Sequence, residues 1–315
     1  MFTYVHVLYH SDGWKQESGE VFFFYRPRVD KEEAHSANDV QRMYVVLRPE
    51  SGEQRSVEEK QSPDSGKESK MSSEDDEQKK KESEVGSEED ENENGGDEKE
   101  GGCGREVRAP LFRFIVMGKK SLPDPGQRSR PFWGFVELVT TKADDIKKAL
   151  QGALGEGVYR ILRHHQSGRR THTHLVYKLE FPPGDAGNEP QESLNIEREA
   201  SFIIQIKNPE QGGDGGGGGG GGGGGFAGLQ RKRRARFPAH LQGQFGKRRF
   251  GPADPPDFLN YEGCELLLIA ASDDIDEELG LELRTECEAD AKWSDLLQVF
   301  GETAASKPLL SGTWV

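Results

Sequence analysis

His172 and His174 flank Thr173 in a segment that reads as a strand, Thr173–Leu179. Period-two spacing puts both imidazoles on one face, and Glu180 shares their parity. His164 and His165 stand across the adjoining hairpin tip, His164–Arg170. Two histidines and a carboxylate on one sheet face are a donor set for zinc, iron or manganese. The alternative reading is therefore a metal-dependent enzyme built on His172, His174 and Glu180. Against it, the third ligand must come from Glu180, from the facing strand or from elsewhere, and nothing in the sequence guarantees the outer partners that fix an imidazole tautomer. Arg169 and Arg170 beside the tip also repel cations. The expectation is no tightly held metal and a pair that faces solvent or phosphate.

A second cluster is basic. Arg231, Lys232, Arg233, Arg234 and Arg236 are followed a dozen residues later by Lys247, Arg248 and Arg249. Phe226–Gly251 holds these 8 Lys/Arg and no acid. Phe237, Phe245 and Phe250 interleave them. Cations neutralise phosphates while aromatic faces stack on bases, so nucleic acid or another polyanion is an expected partner class. The same run matches a nuclear-localisation signal in kind. The plain alternative is a solvated loop that attracts the chain's own acidic tract. With Arg169 and Arg170, these eight are the candidate anion-binding residues.

Other chemistry is absent from the pattern. There is no GxSxG, no GxxxxGK[ST], no HExxH, and no GxGxxG between a strand and a helix. Ser11-Asp12 beside His10 reads as a turn. Asp273, Asp274, Asp276, Glu277 and Glu278 lack the spacing of a Ca²⁺ loop and read as a solvated acidic turn. No catalytic residue and no cofactor is expected.

The elements that must position these residues are divided by charge. The chain has 315 residues, a net charge of −14 and 32% hydrophobic residues. Residues 51–102 carry 19 Asp/Glu against 8 Lys/Arg, while 105–181 carry 15 Lys/Arg against 7 Asp/Glu. The tail from Asp257 holds 14 acids against 3 bases. Residues 51–104 read as an acidic disordered insertion, and 208–236, with its run Gly215–Gly225, as a glycine-rich and basic one. Neither composition buries enough apolar surface to offset the entropy of ordering. The remainder is enough for one β-rich domain spanning 1–315.

Strands are expected at Phe2–Tyr9, Val21–Tyr25, Met43–Leu47, Leu111–Met117, Phe132–Thr140, Val158–Leu162, Thr173–Leu179, Phe202–Ile206 and Glu265–Ala270, with a further one at Leu279–Thr285. Val21–Tyr25 is apolar at every position, as in a strand buried on both faces. Thr141, with Asp144 three residues on, fits a capping box for a helix at Ala143–Leu150. Ala239–Phe245 and Lys292–Phe300 are further short helices. The fold class is α+β, mainly antiparallel β with a few short helices, with the strand order open.

Cys103, Cys264 and Cys287 show no CxxC spacing, and their odd number suits a reducing compartment. The first residues lack the pattern of a signal or transit peptide. No apolar stretch approaches the ~18 residues that span a bilayer. A soluble cytoplasmic or nuclear protein with no membrane partner is expected.

Several stretches taken together resemble a family of plant proteins with bacterial relatives. They are His10–Gly13, Gly19–Pro27, Glu33-Ala34-His35, Arg113–Lys120, Trp133–Glu137, Gly155–Arg160 and Asp254–Gly263. The family carries no assigned activity, so the resemblance implies none. Bacterial members are shorter in the acidic tract, which supports reading it as an insertion. Members also carry a longer His/Arg-containing connection before Gly155 than this chain does. The expected function is a non-enzymatic binding or scaffold module whose basic face meets RNA, a phosphorylated ligand or an acidic protein.

Overall fold

The computed structural model describes residues 14–50, 110–127, 130–164, 171–184, 187–211, 228–279, 281, 283, 294–301 and 305–315. All belong to one compact unit. The strand read at Phe2–Tyr9, the acidic tract 51–104 and the run Gly215–Gly225 lie outside the described residues.

Nine strands pair throughout as antiparallel neighbours: β1 (Trp14–Pro27), β2 (Val40–Pro49), β3 (Phe112–Met117), β4 (Phe132–Thr140), β5 (Gly152–His164), β6 (His172–Phe181), β7 (Glu199–Lys207), β8 (Phe250–Pro252) and β9 (Glu265–Ser272). The order is β6-β5-β1-β2-β3-β4-β9-β7, and β7 returns to β6. Eight strands thus close into a barrel, which removes the exposed sheet edges that invite mispairing. β8 pairs with β7 at Gln205–Lys207, just past the Glu199–Ile203 stretch that β6 covers.

Alternation along the strands fills both faces. Val21, Phe23 and Tyr25 enter the barrel core with Val45, Ile115 and Tyr159, whereas Phe22 and Phe24 join an outer layer. That is why Val21–Tyr25 is apolar at every position. The outer layer is covered by short helices, α1 (Ala143–Lys147), α5 (Asp295–Phe300) and α6 (Lys307–Ser311). Phe300 meets Phe22, Phe24 and Phe112 edge-on, with centroids 5.3–5.8 Å apart. Elsewhere lie α2 (Glu189–Ser193), α3 (Ala239–Gln242) and α4 (Ile275–Leu279).

Two local expectations change. Thr141 does not cap α1: the N-cap is Lys142, with no side-chain cap. Thr140 does the local work, accepting from the Lys142 N–H (3.1 Å) and donating to the Asp145 carboxylate (2.6 Å). Leu279 ends α4 instead of opening a strand, and most of 280–285 lies outside the described residues.

Among the described residues, side chains fill the centre of the barrel. Its interior void is about 20 Å³, lined by residues such as Phe23, Tyr159, Leu175 and Phe202. That is space for about one water molecule. The interior also carries a charge pair. Arg113 on β3 is 1% exposed and donates from Nη1 and Nη2 to the two oxygens of Glu17 on β1, at 2.6 and 2.8 Å. The Tyr159 hydroxyl donates to the same carboxylate (2.8 Å), and Arg113 Nε donates to Asn260 Oδ1 (2.8 Å). Every strong group in the cluster has a partner, as a buried ion pair needs.

Candidate anion-binding site

The basic run does not belong to an unstructured insertion over its whole length. Residues 228–236 form a strap across the outer face of β9 and β4. The residues beneath explain its order. Lys207 and Glu265 face outward from β7 and β9, are 3% and 2% exposed, and pair at 2.9 and 3.0 Å. Trp133 Nε1 and the Leu229 N–H also donate to Glu265 Oε1, at 3.2 and 2.8 Å. A Cβ on Gly228 would run into both members of the pair, so the chain passes directly over it. The strap is fastened again where the Ala235 N–H donates to the Gly263 carbonyl (3.0 Å). Gly263 sits at φ +78°, in the left-handed region that favours glycine.

This framework sorts the cations. Arg231–Arg233 form one 3₁₀ turn. Arg233 is spent on Glu137 (2.6 Å) and lies over the Phe135 ring (5.4 Å). Arg234 folds back, donating to the carbonyls of Leu229 (2.9 Å) and Pro209 (3.3 Å), 4.0 Å from Glu265. Arg231, Lys232 and Arg236 are exposed, and no ion pair binds them among the described residues.

The three interleaved rings are not equally placed. Phe245 is 1% exposed, and Phe237 stacks on it (5.9 Å) while meeting Phe258 and Tyr261 edge-on. Phe245 therefore offers no free face to a base, while Phe237 packs against the core and remains half-buried. Phe250 is half-buried and has Arg249 over its ring at 5.5 Å.

The second basic patch joins the first through the turn 208–211. Asn208 donates from its N–H to the Arg249 carbonyl (2.8 Å) and from Nδ2 to that of Arg248 (3.1 Å). Gln211 Nε2 donates to the Lys247 carbonyl (2.9 Å), and Gln242 Nε2 to Asn208 Oδ1 (3.0 Å). Arg248 itself turns inward onto the Phe245 and Gln244 carbonyls. The same turn and the strap border a cleft of about 640 Å³, whose lining includes Glu210, Arg231, Arg234, Arg236, Phe237 and Gln242. Arg169 and Arg170 lie outside the described residues.

The histidine face is different in kind. His172 and His174 do point outward together, with His164 opposite His172 in the β5–β6 register. His174, however, is 3% exposed beneath α4, and its Nδ1 is 2.9 Å from the Ser201 hydroxyl and 3.9 Å from Glu278. Serine and glutamate converge on one ring nitrogen, whereas a proton relay needs them on opposite nitrogens. Ser201 is also fully buried. Glu180 is six residues from His174, roughly 20 Å along an extended strand. Among the described residues no group of three or more His, Cys, Asp or Glu is arranged to hold a metal. His165 lies outside the described residues.

Burial, with His164 and His172 alongside, pushes the His174 imidazole down to about 4 from its usual 6.5. The folded state then binds a proton less tightly than the unfolded chain between those values. Stability contributed by neutral His174 is present above pH 6.5 and is lost as pH falls toward 4, by roughly 3 kcal/mol. Burial raises the Glu278 carboxyl, which acts with the opposite sign. Urea titrations at pH 4 and pH 7 should therefore show a smaller acid loss in His174→Gln than in the wild type. Equal losses would mean that His174 is not held neutral.

Cys264 is fully buried and its thiol is pushed well up by burial, so it is no nucleophile. The feature that sequence reasoning missed is the buried Lys207–Glu265 pair under the strap. Its signal was two ionisable residues at the ends of largely apolar runs, Phe202–Ile206, broken only by Gln205, and Leu266–Ile269. No helix among the described residues is long and apolar enough to cross a membrane. Comparison with known protein families, with curated proteins and with solved structures finds no match to this chain.

Proposed function

We propose that this protein is a non-enzymatic binding module that holds an anionic partner on the strap and the turn 208–211. One observation carries the reading. Arg231 and Arg236 stand exposed at a cleft, on backbone fixed by a buried ion pair and a barrel, without an ion-pair partner among the described residues. Preorganised guanidinium groups lose little entropy on meeting an oxyanion. Among the described residues, a barrel centre filled by side chains and a histidine face with neither a relay nor a third metal ligand fit binding better than chemistry.

Salt-gradient elution from heparin tests the reading. The wild type should be retained, and Arg231→Ala/Arg236→Ala should elute at distinctly lower salt, because fewer counterions are released on binding. Lys247→Ala/Arg249→Ala should lower it further if the patches act on one polyanion. Identical elution of all three proteins would contradict the proposal.

A further inference from the structure

Resting on that reading, we infer that the cleft takes a small phosphate ester carrying hydroxyl groups, a sugar phosphate in chemical class, in preference to an extended polynucleotide. The first argument is shape. The free cations Arg231 and Arg236 line a concave space of about 640 Å³ instead of a ridge. That volume suits a single small ligand and is within the range of small-molecule sites. Arginine forks match phosphate oxygens in pairs, so a terminal phosphate satisfies them with few charges.

The second argument is what the cleft lacks. Single-stranded nucleic acid is held by cations together with aromatic faces on which bases stack. Here Phe245 is buried, and Phe237, the aromatic residue in the lining, is half-buried and engaged by Phe245, Phe258 and Tyr261. Among the described residues of the cleft, a polynucleotide would find charge and one half-buried ring, Phe237, but no open row of faces on which successive bases stack.

The third argument is what the turn 208–211 adds to the lining. Glu210 is exposed there, and among the described residues its carboxylate has no cation. Its backbone N–H donates to Asn208 Oδ1 (3.0 Å), which fixes the residue on its turn. A carboxylate beside a phosphate-binding wall repels a second phosphate and accepts hydrogen bonds from hydroxyls. Gln242, held by Asn208, adds an amide oxygen as a further acceptor. A ligand with one phosphate and several hydroxyls can use both the cations and the acceptors of the lining, and a row of phosphodiesters can use only the cations.

Calorimetric titration of the full chain with ribose 5-phosphate, inorganic phosphate and a 20-nucleotide single-stranded RNA tests this. Arg231→Ala/Arg236→Ala and Glu210→Ala are the comparison proteins, all three substitutions being at exposed positions. Ribose 5-phosphate should bind the wild type, and the double arginine variant should lose at least tenfold. Glu210→Ala should lose about tenfold for ribose 5-phosphate while binding inorganic phosphate as well as before or better. A Glu210→Ala variant that changes affinity for both ligands in the same direction overturns the hydroxyl assignment. Tight RNA binding without saturable ribose 5-phosphate binding overturns the inference but leaves the anion-binding reading standing. Binding of none of the three ligands overturns both.

Discussion

Replacing Arg113 by Met should cost about 3–5 kcal/mol of folding stability, because it leaves the Glu17 carboxylate buried without its counter-ion. The pair sits inside the barrel with Arg113 1% exposed, so water cannot take the place of the guanidinium. Among the described residues, Glu17 would retain the Tyr159 hydroxyl as its hydrogen-bond donor. The double variant Glu17→Gln/Arg113→Met should recover a large part of the loss, since the neutral amide no longer carries an uncompensated charge. Urea unfolding of the four proteins measures the cycle. A single-variant loss below about 1 kcal/mol, the range of an exposed ion pair, would show that the pair is not sealed in the barrel.

The second large effect falls on the strap. Glu265→Ala leaves the Lys207 ammonium buried and removes the acceptor of the Leu229 N–H and of Trp133 Nε1. The expected cost is again about 3–5 kcal/mol. Its distribution is more informative than its size. Hydrogen exchange at the Leu229 and Ala235 amides should accelerate far more than exchange in β1 and β2, because the strap loses its anchor while the far side of the barrel keeps its ladders. Unchanged protection at Leu229 and Ala235 would show that something other than Glu265 holds the strap. Anion binding should fall with the strap's protection, although Glu265 itself is 2% exposed and touches no ligand.

Much of the barrel was legible because its strands carry local signals. Phe132–Thr140 has the bounds expected, and Val158–Leu162 does pair with Thr173–Leu179, with Ile161 opposite Leu175. The short helix and following 3₁₀ turn over Ala239–Phe245 also appear where periodicity places them. Closure was not legible. It depends on β9 inserting between β4 and β7, and on β7 reaching β6. No local pattern encodes pairings between elements so far apart in the chain.

The site was half legible for a related reason. Charge density alone singled out Arg231–Arg236 and Lys247–Arg249. Composition then suggested a solvated segment, because six of the residues in 228–236 are polar or charged. The order comes from Leu229 and Ala235, which are buried, and from an ion pair whose members are 58 residues apart. Phe237 and Phe245 misled in the opposite direction. Interleaving with cations made them resemble stacking platforms, yet aromatic rings beside a strap are equally the means of fastening it to a core. The HxH spacing correctly gave a shared face, but parity says nothing of what covers that face. Here α4 covers it, and His174 is drawn into a buried contact with Ser201.

The central claim is that Arg231 and Arg236 are the anion-binding groups of this protein. The most direct measurement is the thermal midpoint of the full chain during titration with inorganic pyrophosphate, a compact polyanion with no base or sugar. A ligand that binds only the folded state raises the midpoint with concentration. The account predicts such a concentration-dependent rise for the wild type and its loss in Arg231→Ala/Arg236→Ala, whose own midpoint without ligand should be close to that of the wild type. The same rise in both proteins, or none in the wild type, would contradict it.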